Sequence, residues 1–299
     1  MFDKFVRKQT ERLFRGGLKD RIFLQAGLAR ANSFGELDTL FVGSSYAVYG
    51  IISDFWSYSL NLGGISQDFY YAKKIIENIH SKTKRVVIIC GYYTPYIDLS
   101  SQKKERENLV GSVYWPVFRD SHNWNDPSDN AHWHKQYRYP VWLRRICERK
   151  LYQYFYRSNA WFDDVVRRKG DFSLLPDELR ENLVVERTNV HNKHLKYKAS
   201  FEENKDIVKC IKEITDKREM ELFIVIPPFT REYLDRIDAR YIKDSDTFYR
   251  VTNTYDGYID CNKIIGYTND FFVDADHLND KGAAQFTKDL KWILNDRLS

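Results

Sequence analysis

Apolar residues along the chain alternate between short uninterrupted runs and longer stretches at helical spacing. The short runs predict buried strands at 38–43, 58–62, 85–91, 221–226 and 257–261. Apolar positions spaced three to four residues apart predict the helices 47–55, 67–80, 201–218 and 281–298. Because strands and helices alternate, we expect an α/β fold: a three-layer α/β/α sandwich with a central parallel sheet of about five strands.

The alternation stops between residues 101 and 199. This stretch is polar, rich in aromatic residues and mostly helical in composition, with predicted helices at 141–156 and 173–183. We therefore divide the chain into an N-terminal helical segment (1–37), an α/β core (38–100 and 200–299) and a helical insertion (101–199). The insertion is expected to lie as a lid or wall at the carboxyl edge of the sheet, where such folds bind ligands.

The first fifteen residues predict an amphipathic helix, with Phe2, Phe5 and Leu13 on one side and basic residues on the other. Such a helix either contacts a membrane surface or a partner, or packs on the domain with a solvated face. The second interpretation is favoured because solvated helices are common. The sequence shows neither an apolar signal segment nor an apolar run of membrane-spanning length, so a cytoplasmic location is expected.

Composition narrows the choice of partners. The formal net charge of +5 is mild, so it gives no indication of nucleic-acid binding, although it would suit an anionic glycan or a membrane face. The four cysteines are scattered, which predicts no disulfide framework. Cys90 and Cys210 lie in apolar or helical patterns and are predicted to be buried thiols.

The first candidate for chemistry is the turn Gly43-Ser44-Ser45, directly after the first predicted strand. A serine at a helix N-terminus has a free backbone N–H group, which suits a nucleophile whose reaction builds an oxyanion. The same pattern is also typical of a helix cap or a phosphate-binding turn.

The second candidate is Asp274-Ala275-Asp276-His277, just before the last predicted helix. The spacing Asp-x-x-His lets the Asp274 carboxylate reach Nδ1 of His277 while Nε2 points across a cleft. A serine hydroxyl needs such a base, and the base needs a partner that holds its tautomer. Alternatively, Asp274 or Asp276 caps the last helix and His277 is a surface residue.

Together the two segments resemble the SGNH (GDSL-like) hydrolase superfamily over residues 38–100 and 200–298. The resemblance implies Ser45 as nucleophile, His277 as base and Asp274 as the acid that orients it. The segment 61–68 is similar to the block that supplies a backbone donor to the oxyanion hole. Gly64 is the preferred donor, beside the N–H of Ser45, and Ser66 is the rival.

The chain departs from the superfamily pattern in two places. Ser44 stands where the first block has Asp, and Cys90-Gly91-Tyr92-Tyr93 lacks the Asn of the third block. Tyr93 is the candidate to replace that donor, the alternative being that it only packs at the strand end. The combined motifs resemble a bacterial subgroup associated with capsule and other surface-polysaccharide pathways.

The insertion carries weaker candidates. Trp133 and His134 are predicted to contact substrate through sugar stacking, although the insertion's tryptophans equally suit a small core. Zinc binding at Asp129, His132 and His134, or at His191 and His194, is less favoured than polar loop histidines, so no metal is predicted.

Three functions remain open at this stage. The first is a serine esterase acting on O-acyl, above all O-acetyl, carbohydrate or another acylated small molecule. The second is a carbohydrate O-acyltransferase that uses the same triad with a sugar acceptor. The third is a non-catalytic glycan-binding protein that kept the fold. None of them calls for a cofactor.

Overall fold

The strands of this computed structural model form one parallel sheet. The structure describes residues 17–101, 109–124, 141–157 and 169–296. The strands are β1 (Glu36–Gly43), β2 (Ser59–Asn61), β3 (Lys82–Ile89), β4 (Glu221–Ile226) and β5 (Tyr258–Asp260). All four strand pairings are parallel, so the predicted α/β sandwich with a central parallel sheet is confirmed.

The strand order is β2-β1-β3-β4-β5, which places the first strand beside the third. Phe41 of β1 is in register with Asn61 of β2 on one side and with Val87 of β3 on the other. The chain winds outward in opposite directions from β1 and β3. A crevice therefore opens at the carboxyl ends of these two strands, which is where ligands bind in such folds.

Helices cover both faces of the sheet. They are α1 (Leu18–Ala31), α2 (Ser45–Gly50), α3 (Phe69–Glu77), α4 (Trp115–Phe118), α5 (Val141–Arg157), α6 (Asp177–Asn192), α7 (Lys198–Lys217), α8 (Arg231–Leu234), α9 (Arg240–Val251) and α10 (Asp280–Asp296). Helix α2 contacts α10, and α3 contacts α7. Phe248 of α9 stacks on Phe69 of α3, with ring centroids 5.9 Å apart. The sequence pattern did not predict α9.

The 101–199 segment shares the main hydrophobic core. Tyr114, Trp124, Phe172 and Val184 are buried in the same cluster as the strand residues. Trp142, in contrast, leaves 63% of its surface exposed. Phe155 of this segment lies in a second, smaller cluster with Leu18 and Ile22, so a small core of the insertion's own stays a prediction. The predicted three-part division of the chain stays a prediction.

Cys210 corrects another prediction, because its side chain is exposed whereas Cys90 is buried as expected. Residue 210 lies on the solvent side of α7, and its neighbours Val208 and Ile211 face the core.

Among the described residues, no helix is both long and apolar enough to cross a membrane. The predicted amphipathic helix lies within residues 1–16, outside the described ranges.

The end of β1 approaches β3 so closely that only glycine fits there. Gly43 has φ +127°, and a Cβ atom added to it would lie 2.0 Å from the carbonyl oxygen of Ile89. The N–H of Gly43 donates to Oε1 of Gln67 at 2.7 Å. Glycine at this position therefore lets the chain turn out of the sheet directly before Ser44 and Ser45.

We expect Gly43→Ala to lower the free energy of unfolding by more than about 2 kcal/mol, because the left-handed backbone and the contact with a backbone oxygen both oppose a side chain. Urea denaturation measures this loss. Gly35→Ala is the matched control, because a Cβ there meets nothing within 4 Å. A loss that is equal for the two variants would contradict the steric argument.

Candidate active site

Ser45 is the first residue of α2, immediately after β1. The preceding residue, Ser44, caps the helix by accepting a hydrogen bond from the N–H of Tyr46. The Oγ atom of Ser45 lies 2.9 Å from Nε2 of His277, which is 232 residues further along the chain. The fold therefore joins the end of the first strand to the loop that precedes the last helix.

His277 is held on its other side by Asp274. Nδ1 of His277 lies 3.0 Å from Oδ1 and 3.2 Å from Oδ2 of this carboxylate. The backbone N–H groups of Asp276 and His277 also donate to Oδ1 of Asp274, so this side chain organises the loop as well as the imidazole. With Nδ1 protonated, Nε2 is free to accept the Ser45 proton. The structure thus brings Ser45, His277 and Asp274 together in one hydrogen-bonded chain.

A second carboxylate, Asp276, lies beside the triad residues and is fully buried. Nε and one Nη of Arg187 donate to its two oxygens at 2.8 and 3.0 Å, and the Tyr46 hydroxyl donates to Oδ2 at 2.6 Å. Burial alone would raise the pKa of Asp276, but the charges of His277 and Arg187 hold that pKa well below its usual range. Asp276 is therefore an anion within the protein.

Aromatic rings enclose the imidazole. The ring centroids of Tyr46 and Tyr49 lie 5.2 and 5.3 Å from that of His277.

A second histidine, His191, also lies among aromatic side chains. The ring centroids of Tyr93 and His191 are 3.9 Å apart, and Nδ1 of His191 lies 2.6 Å from the Tyr233 hydroxyl. Burial holds the pKa of His191 well below its usual range, so this histidine is neutral.

A pocket of about 190 Å³ opens beside Ser45 and His277. Its wall combines the turn after β1, the loop after β2, the segment after β3 and one side of α6. The lining residues are Ser44, Ser45, Tyr49, Ile65, Ser66, Gln67, Tyr93, Thr94, Ile97, Arg187, Val190, His191 and His277. The 101–199 segment therefore supplies a wall of the pocket through α6.

The backbone donors around the pocket differ from those predicted. The N–H of Gly64 donates to the carbonyl of Gly43 at 2.9 Å, so it is engaged within the protein, and Gly64 does not line the pocket. Ser66, the rival candidate, does line it. In the described ranges, neither its N–H nor that of Ser45 donates to a protein acceptor. The geometry therefore favours the N–H of Ser66 over that of Gly64 as a donor toward the pocket, and the oxyanion hole itself stays a prediction. Tyr93 lines the pocket, and its role as a donor stays a prediction.

Asp274, Asp276 and His277 bring three potential metal ligands within 4.8 Å of one another. The donor set is a poor fit for a dication, because Arg187 occupies both oxygens of Asp276 and carries a positive charge. Of the histidines considered for zinc, His191 bonds to Tyr233. Trp133 and His134, together with Asp129 and His132, lie outside the described residues.

Two parts of this site were missed from the sequence. Asp276 was named only as a possible helix cap, although its position in Asp-x-Asp-His places it next to the imidazole. Arg187 was not singled out, since a lone arginine in a highly charged helix gives no sequence signal.

We expect Arg187→Ala to lower the free energy of unfolding by about 2 kcal/mol near pH 7, because the substitution leaves the buried negative charge of Asp276 without its cation. Arg187 is partly exposed, so this loss is smaller than for a fully buried ion pair. The lowered pKa of Asp276 means that its stabilisation is present above about pH 4 and is lost as the pH falls below that value. The difference from wild type should therefore shrink in acid, as measured by urea denaturation at several pH values.

Arg236→Ala is the control for this variant. It removes an arginine in the turn after α8 that pairs at the surface with Glu181 of α6, where a loss of only about 0–1 kcal/mol is expected. Equal losses for the two arginine variants at pH 7 would contradict a special role for the buried pair.

Comparison with known proteins adds a limited finding. No protein-family model and no curated protein matches this sequence. A solved structure provisionally described as a platelet activating factor from Streptococcus pneumonia is similar to this chain, with a TM-score of 0.44 and 11% sequence identity. The alignment covers 98% of this chain and 99% of that chain.

Proposed function

We propose that this chain is a serine esterase of the SGNH type that cleaves short acyl esters, above all O-acetyl groups on carbohydrate. The observation that carries the proposal is the continuous contact from Ser45 Oγ to His277 Nε2 at 2.9 Å and from His277 Nδ1 to Asp274 at 3.0 Å. Nucleophile, base and orienting acid are thereby within hydrogen-bond reach of one another. The order of the motifs along the chain and the parallel sheet support the SGNH assignment.

In the proposed reaction, the Ser45 hydroxyl passes its proton to Nε2 of His277 as Oγ attacks the ester carbonyl carbon. The carbonyl oxygen becomes an oxyanion, and the N–H groups of Ser45 and Ser66 are its candidate donors. The tetrahedral intermediate then collapses, and His277 returns the proton to the departing alcohol. This leaves an acyl group on Ser45.

Water then completes the cycle. His277 removes a proton from the water, the resulting hydroxide attacks the acyl carbon, and collapse releases the carboxylic acid while Ser45 recovers its proton. A sugar hydroxyl in place of water would produce a new ester, which would make the same residues those of an O-acyltransferase. Throughout the cycle Asp274 holds the imidazole and stabilises its charged form.

The pocket supports a short acyl group. Its volume of about 190 Å³ is below the roughly 300–1,000 Å³ typical of pockets that enclose drug-sized ligands. Ile65, Ile97 and Val190 supply an apolar lining near Ser45. An acetyl group would fit such a lining, and the alcohol part of the ester would extend toward the opening.

We expect the wild-type protein to hydrolyse p-nitrophenyl acetate, and Ser45→Ala, His277→Ala and Asp274→Asn each to lower kcat by at least about 10³-fold, because the three residues act as one unit. Release of p-nitrophenol measures the rate. Ser57→Ala, which changes an exposed serine outside the pocket, should behave as wild type.

Undiminished hydrolysis by Ser45→Ala would exclude Ser45 as the nucleophile. Product analysis of an acetylated sugar, with and without a second sugar as acceptor, then separates transfer from hydrolysis. Free acetate in both reactions indicates an esterase, whereas acetate on the added sugar indicates a transferase.

A further inference from the structure

We propose that Asp276 is a second positioning carboxylate, which stabilises the imidazolium that His277 forms when it accepts the Ser45 proton. This inference rests on the proposed function. Oδ1 of Asp276 lies 3.5 Å from Nδ1 of His277, just beyond the 3.0 Å contact with Asp274. The imidazole ring therefore faces two carboxylates on its Nδ1 side.

The two carboxylates differ in their exposure to water. The side chain of Asp274 is 28% exposed, whereas that of Asp276 is completely buried. Solvent screens the field of an exposed charge, but a buried charge acts through a medium of low dielectric constant. Asp276 therefore interacts strongly with a positive charge on His277, even though Asp274 makes the shorter contact.

The partners of Asp276 keep it charged and immobile. Arg187 of α6 donates hydrogen bonds to both carboxylate oxygens of Asp276. Tyr46 of α2 donates to Oδ2 of Asp276, and the Tyr46 ring packs against the His277 ring. His277 and Arg187 both help to lower the pKa of Asp276 against the effect of burial. Asp276 is therefore held as a fixed negative charge 3.5 Å from Nδ1 of His277.

Within the described ranges, the remaining surroundings of His277 supply no other anion that could take this role. Besides the two aspartates, the titratable and charged groups around it are Tyr46 and Tyr49 from α2, Arg187 and His191 from α6, Tyr93 after β3 and Tyr233 from α8. Burial raises the pKa values of Tyr46 and Tyr233 well above their usual range and lowers that of His191, so these three groups are neutral.

The test compares two variants by NMR titration of His277 and by the pH profile of kcat/KM. Asp276→Asn removes the carboxylate but leaves Arg187 with an unbalanced charge. Asp276→Asn combined with Arg187→Gln removes both charges and keeps two groups that can hydrogen-bond to each other. Asp270→Asn, which removes a carboxylate before the same loop that pairs with Lys281 of α10, is the control. The His277 resonance is assigned by its absence from His277→Ala.

In Asp276→Asn we expect the His277 titration and the acid limb of kcat/KM to move about one pH unit lower, because the imidazolium loses a negative neighbour, and kcat to fall about tenfold. The double variant should move in the same direction by a smaller amount, because the guanidinium leaves with the carboxylate. Asp270→Asn should not move.

An unchanged His277 titration in the double variant would overturn the proposal, because any shift in Asp276→Asn would then come from the uncovered Arg187. The NMR titration needs no substrate, so it tests Asp276 even in a protein that does not hydrolyse the ester. Wild-type turnover by Ser45→Ala would refute the proposed esterase function instead. The two failures are therefore distinguishable.

Discussion

The carboxylate of Asp276 is completely buried, and a buried charge has to be neutralised where it lies. Arg187 reaches it from α6 and Tyr46 from α2, so this one group ties two helices to the loop before α10. The same loop carries His277. The contacts of Arg187 and Tyr46 with Asp276 therefore also help to fix the position of the His277 imidazole. Without them, the buried negative charge of Asp276 would strongly destabilise the fold.

The sheet supplies the second constraint on the site. Parallel pairing sends the carboxyl ends of all five strands to one edge, and the strand order opens a crevice between the ends of β1 and β3. Because Gly43 has no side chain, the backbone can turn out of β1 close to the carbonyl oxygen of Ile89. The side chain of Gln67 stabilises this turn by accepting a hydrogen bond from the Gly43 N–H. Ser45 thus follows directly from a rigid turn, which suits a nucleophile that has to meet a base on a distant loop.

Much of the fold was predictable, because the buried strands are short apolar runs whose neighbours are helices with clear periodicity. The triad candidates were predictable for a similar reason, since Ser45 and Asp-x-x-His each follow a recognisable pattern at the edge of an element. Helix α9 was not predicted. Its buried Tyr241 is separated from the adjacent pair Phe248 and Tyr249 by the charged and polar stretch 243–247, which obscures the apolar spacing.

Other features depend on contacts that no local pattern reveals. Arg187 meets Asp276 across 89 positions of the chain, within a helix that has few buried residues. Whether the N–H of Gly64 or that of Ser66 faces the pocket depends on a backbone hydrogen bond to Gly43.

We propose that His277 and Asp274 make Ser45 a nucleophile, and labelling with a fluorophosphonate tests this role most directly. Attack by Oγ on phosphorus forms a covalent bond, expels fluoride and transfers the serine proton to His277, so intact mass and peptide mapping locate the adduct. We expect one adduct per chain, on Ser45, that is absent from Ser45→Ala and forms far more slowly in His277→Ala. An unlabelled wild-type protein, or an adduct on a different residue, would contradict it.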